Sequence, residues 1–133
     1  MTSMDAIAVP VSPGELLDKI TILRIKSARI ADAAKLGNVR RELALLEHSW
    51  QASVPASEQL AAEEAALERV NAELWDIEDA IRSHEAQQRF DAEFIKLARA
   101  VYLRNDERAA IKQRINLKLN SAIIEEKSYQ PYR

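Results

Sequence analysis

Residues 58–88 read EQLAAEEAALERVNAELWDIEDAIRSHEAQQ, and their spacing decides the fold. Leu67, Val70, Leu74, Ile77 and Ile81 recur three and four apart. That period places one apolar seam along a single helix face, as in helices packed side by side at a shallow angle. At 1.5 Å per residue the helix is about 45 Å long, more than a compact domain of this size needs, so its far end is expected to meet another subunit. The setting is broader still: from Ala56 to Gln130 there is neither glycine nor proline. Those two residues cost about 1 and about 3 kcal/mol in a helix interior relative to alanine, so their exclusion marks helices on both sides of the seam.

Working outward, Ser12-Pro13-Gly14-Glu15 combines a serine N-cap, proline at the first helical position and glutamate at the third, a capping box. Helix 1 is predicted from Pro13 to Leu36, closed by Gly37, with Asn38 capping a second helix to Trp50. Residues 53–57 read as a linker, with Ser57 or a neighbour capping helix 3. Asp91 caps helix 4, which carries Phe94, Leu97 and Val101. Asn105-Asp106 predicts a restart into a fifth helix with Ile111, Ile115 and Leu119, because both residue types favour turns. Residues 1–11 are expected to form an extended arm whose Ala6–Val9 stretch docks on the helices. Residues 121–133 form an irregular tail tethered by Ile123 and Ile124. The predicted class is all-α: a single domain, an antiparallel bundle of four to five helices with one long central helix.

Charge is partitioned along the chain. Residues 1–41 carry seven Lys/Arg against four acids, residues 42–93 three against thirteen, and residues 94–133 nine against four. An acidic middle packed between basic neighbours favours antiparallel pairing. The net charge of −2 argues against bulk binding of nucleic acid. The absence of cysteine excludes thiolate metal sites and a cysteine nucleophile. The first fifteen residues lack a signal-peptide pattern and no later run is long enough to span a bilayer, which reads as a cytoplasmic protein.

Few residues suggest chemistry. Lys19 and Lys26, a heptad apart, fall among the apolar residues of helix 1, and Asp18 lies between Ile22 and Ile25. Such charges need partners, supplied either by the acidic helix 3 or by an anionic ligand in a groove. Helix 3 carries a polar line of Asn71, Trp75, Glu78 and Arg82. Helix 4 carries Arg99, Tyr102, Asn105, Asp106, Arg108, Lys112 and Asn116, a cluster that reads first as an interhelical network. The candidate ligand-binding set is therefore Lys19, Lys26, Trp75, Glu78, Arg82, Arg99 and Tyr102. No catalytic residue, cofactor or metal is predicted: neither His48 nor His84 lies three residues after a glutamate, and His84-Glu85 is not followed by a second histidine at 88.

The stretches VPVSPGELLDKITILRIK, NVRRELALLE, LWDIEDAIRSHE, FIKLARAVYLRNDERAAIKQRIN and IIEEKSY resemble those of a small bacterial family catalogued as a domain of unknown function, number 6165. The resemblance runs from about Val9 to Tyr132. It implies a complete small protein rather than a piece of an enzyme, and brings no activity, cofactor or site residue with it. Two functions stay open. One is a non-enzymatic helical interaction or scaffold protein that forms a coiled-coil homodimer through its long helix. The other is a binding protein or enzyme that holds an anionic metabolite or sugar phosphate in a Lys/Trp/Glu-lined groove.

Overall fold

The structure, a computed structural model, describes residues 4–56 and 58–132. These form four α-helices and no strand: α1 (Pro13–Arg29), α2 (Ala33–Ser53), α3 (Ala61–Ala86) and α4 (Ala92–Lys118), with a 3-10 turn at Glu58–Leu60 before α3.

Capping explains the starts. Ser12 Oγ accepts from the Glu15 amide at 3.2 Å, and Asp91 Oδ1 accepts from the Phe94 amide at 3.1 Å, each satisfying a helix-end donor as predicted. Ser57 lies outside the described residues, and Leu60 stands at the head of α3 without a side-chain cap. Gly37 and Asn38, however, do not break the chain; they lie inside α2. The break comes earlier, at Ile30–Asp32. The Ile30 amide closes α1 on Lys26 O at 2.9 Å, and Asp32 Oδ2 caps α2 through the Lys35 amide at 2.9 Å. A good aspartate cap five residues before Gly37 outweighs the modest cost of one helical glycine.

The predicted fifth helix is also absent, because α4 runs unbroken through Asn105 and Asp106. Their side chains have other work. Asn105 Oδ1 accepts from Arg108 at 3.4 Å, and Asp106 accepts from Lys127 and Tyr132 at 2.9 and 2.7 Å. Neither competes for the helix backbone.

Helices α3 and α4 share the most extensive contact and run antiparallel: Glu63 meets Arg114 and Lys118, Arg69 meets Glu107, and Glu73 meets Arg104. The acidic stretch thus pairs with its basic neighbour as the charge partition predicts. The turn between them is built by Gln88 in the left-handed region (φ 54°), with the Arg89 amide reaching back to His84 O at 2.9 Å. At the tip Phe90 and Phe94 meet edge to face, ring centroids 5.2 Å apart.

No single long helix is central. α3 and α4 are nearly equal at 26 and 27 residues, and the helix that touches all three others is α1, the shortest at 17 residues. It is central because Leu17, Ile20, Leu23 and Ile25 are buried around its circumference. Leu17, Leu60, Leu67, Val70, Ile111 and Ile115 form the core, with Trp50 and Val54 packed against it from the far end of α2. Each such side chain contributes about 1.5–3 kcal/mol by leaving water.

The arm does not dock: Ile7 and Val9 are largely exposed, so the Ala6–Val9 stretch buries no apolar side chain on the helices. Nor do Ile123 and Ile124 tether the tail; both are exposed, and the tail is held by polar contacts instead.

Candidate functional site

The most ordered polar chemistry lies where α1 crosses α3 and α4. Asp18 is 1% exposed and holds the centre of the seam. Arg108 of α4 clasps its carboxylate with both Nε, at 2.8 Å from Oδ1, and a terminal guanidinium nitrogen on Oδ2. This forked pairing is the strong form of a carboxylate–guanidinium contact. Asn71 of α3 divides its amide protons between Asp18 Oδ1 and Thr21 Oγ1, each at 3.0 Å, while the Thr21 hydroxyl donates to Asp18 O at 2.8 Å. Removed from water, each charge finds the partners that burial demands. The contact to Asp18 holds the Arg108 guanidinium above its ordinary pKa, against the opposing effect of its burial.

One and two turns along α4 the seam continues. Lys112 bonds Glu15 at 2.6 Å and Glu125 at 3.2 Å. Burial pushes its ammonium down, yet the two carboxylates outweigh that and the net shift is upward. Asn116 Oδ1 accepts from the Gly14 amide at 2.7 Å. Here the glycine is required by close approach: a Cβ on Gly14 would stand 2.5 Å from Lys112 O.

Outside the seam lies a wide groove of ≈ 1900 Å3 between α4 and the C-terminal tail. Its wall carries Tyr102, Asp106, Arg108 and Lys112, and its other side is residues 125–132. Tyr102 and Tyr132 meet edge to face at 5.1 Å. The seam's cations are matched by carboxylates: Arg108 by Asp18, Lys112 by Glu15 and Glu125.

The candidate ligand-binding residues are dispersed. Lys19 is exposed and Lys26 half-buried on α1. Trp75 has Arg29 over its ring at 5.8 Å, and Arg29 also pairs with Asp76 at 2.5 Å. Glu78 and Arg82 are exposed and pair along α3 at 3.5 Å. Arg99 donates to the Tyr102 hydroxyl at 3.4 Å on the surface of α4. Trp75, Glu78, Arg82, Arg99 and Tyr102 thus share the outer half of the α3–α4 hairpin, and Lys19 and Lys26 belong to another element.

A family model described as a family of unknown function (DUF6165) matches residues 7–132. The chain belongs to that family. No curated protein and no solved structure matches it. The DUF6165 match takes in the whole seam, both halves of the hairpin and the tail through Tyr132, so these parts form one family unit. Among the described residues no group of acidic or histidine side chains could hold a metal ion, and no helix is long and apolar enough to cross a membrane.

Asp18 was visible as a charge among apolar residues, and Arg108, Lys112 and Asn116 as members of a polar cluster read first as an interhelical network. What joined them was hidden, since Asp18 and Arg108 stand 90 residues apart. Glu15 carried a signal only as a capping residue, and Glu125 carried none.

Proposed function

We propose that the protein is a non-enzymatic helical interaction protein that pairs with a second copy of itself through the outer half of the α3–α4 hairpin, completing a coiled-coil-like four-helix arrangement. One observation carries the reading: between Ala72 and Ala110 no residue is buried, although Leu74, Ile77, Ile81, Leu97 and Val101 continue the apolar seam. Phe90 and Ile95 are 52% and 58% exposed.

The cause is a length mismatch. α1 covers about 25 Å while α3 and α4 extend about 40 Å, so the hairpin overhangs the helix that covers its inner half. Two helices alone enclose only the strip between them; bundles bury their remaining faces on further helices. Charge favours self-pairing. Asp76, Glu78 and Asp79 lie on the outer part of α3, and Lys96 and Arg99 on the outer part of α4. A two-fold axis between two antiparallel hairpins sets each acidic α3 beside the partner's basic α4. Trp75 then serves as an interface aromatic.

Light scattering during size exclusion tests this. The wild type is expected at twice the chain mass. Ile95→Asp is expected at the chain mass with an unchanged helical circular-dichroism spectrum, because Ile95 is mostly exposed within one copy. A wild type that stays monomeric at high micromolar concentration refutes the reading.

A further inference from the structure

The C-terminal tail leaves α4 by a sharp reversal. Asn120 takes a left-handed conformation (φ 51°), and the Ser121 amide reaches back to Asn116 O at 2.9 Å. The chain then runs back along the helix it has just left. Three side chains fix it. Glu125 bonds Lys112 at 3.2 Å, Lys127 bonds Asp106 at 2.9 Å, and the Tyr132 hydroxyl donates to Asp106 at 2.7 Å while its ring meets Tyr102.

All of these anchors stand on α4, and every residue from 122 to 132 is exposed. The tail therefore adheres by discrete polar contacts with no buried side chain to hold it. The Lys127–Asp106 pair, on the surface, contributes about 0–1 kcal/mol, and the more enclosed Lys112 keeps Glu15 when Glu125 departs, so the tail can leave its seat without unfolding a core. Nothing in the contacts requires that tail and helix belong to one chain. A second copy's tail offers the same charges to the same face of α4, without the left-handed reversal at Asn120. Exchange of an identical segment between copies preserves the three side-chain contacts at little cost.

We propose that the face of α4 along Tyr102, Asp106 and Lys112 is a docking site for an extended acidic–basic–tyrosine segment, and that its occupant in trans is the C-terminal tail of a second copy of this chain. The recognition pattern is a carboxylate facing Lys112, an ammonium two residues later facing Asp106, and a tyrosine five residues beyond that, seated between Asp106 and Tyr102. This face reaches the outer hairpin only at Tyr102, and peptide binding to it does not depend on hairpin pairing, whereas exchange between full chains rests on the hairpins being paired. Where they do pair, the partner's tail is presented at a high effective concentration, and the dozen residues after Asn120 reach about 40 Å when extended.

The first test uses a chain ending at Ala122, shown to be folded by circular dichroism, and a fluorescent peptide of residues 119–132. Saturable binding, weakened at least tenfold by Asp106→Lys in the protein, is expected. No binding, or binding indifferent to Asp106→Lys, overturns the proposal. The second test uses the full chain, whose lack of cysteine permits single labels. A donor is placed at Gln130→Cys in one population and an acceptor at Gln113→Cys in another. Energy transfer on mixing is expected, and its loss when the acceptor chain also carries Asp106→Lys, with the light-scattering mass unchanged. Transfer that survives Asp106→Lys, or no transfer although the peptide binds, refutes exchange. Loss of hairpin pairing in the Ile95→Asp variant leaves the peptide result intact, so the two readings fail separately.

Discussion

Asp18 receives hydrogen bonds from Arg108 and Asn71 in a place almost closed to water. Removing one member of such a pair strands the other, whereas replacing both by apolar groups of similar size avoids the desolvation altogether. Asp18→Ala is therefore expected to cost about 3–5 kcal/mol in urea unfolding. Asp18→Leu combined with Arg108→Met should recover most of that loss; a double variant no better than the single one would mean the pair holds the fold in a way apolar packing cannot. The two glycines make a second contrast. Gly14→Ala drives a methyl into Lys112 O and should destabilise by about 1–3 kcal/mol, as overpacking does. Gly37→Ala meets nothing closer than Arg41 at 3.7 Å inside α2, and should stabilise by about 0.5–1 kcal/mol. Thermal melts of the two variants should move in opposite directions.

At the scale of elements, α3 and α4 are stapled by carboxylates that the structure keeps ionised. The hydrogen bond from Lys118, with help from Arg114, holds Glu63 below its ordinary value of 4.5, and Arg69 does the same for Glu107. A carboxylate depressed in the folded state stabilises the fold above its unfolded pKa and loses that contribution as pH falls through its folded value. The urea midpoint should thus decline as pH drops below 4.5, and Glu63→Gln should decline less over the same interval. Helix starts were readable at Ser12 and Asp91, where the capping side chain stands just before the periodic run. Helix ends were not, because the turns after α3 and α4 place Gln88 and Asn120 in the left-handed region, where glycine is the usual sign. The break before α2 was misplaced for the complementary reason: Gly37 looked like a terminator and sits in a helix, while Asp32 did the terminating. The seam in α3 was legible from its period. The docking of α1 against α4 was not, since it depends on residues far apart in the chain.

For the whole molecule, the overhanging hairpin decides how stability should depend on concentration. A contact between copies stabilises by mass action, so the melting temperature of the wild type should rise with protein concentration and that of Ile95→Asp should not. A wild type with a concentration-independent melt would place all of its stability within one chain.

The seam that joins α1 to α4 also sets an order of events during synthesis. Gly14 bonds Asn116 across 102 residues and Asp18 bonds Arg108 across 90. At about 5–20 residues per second, the ribosome leaves Asp18 waiting roughly 5–20 s before its counter-ion has been made. α1 and α2 can meet while the chain is still emerging, but the helix at the centre of the fold must keep a bare carboxylate among its isoleucines until Arg108 on α4 has been made. The nascent chain is therefore most exposed to chaperones and proteases at its beginning, and is secured only when α4 is released.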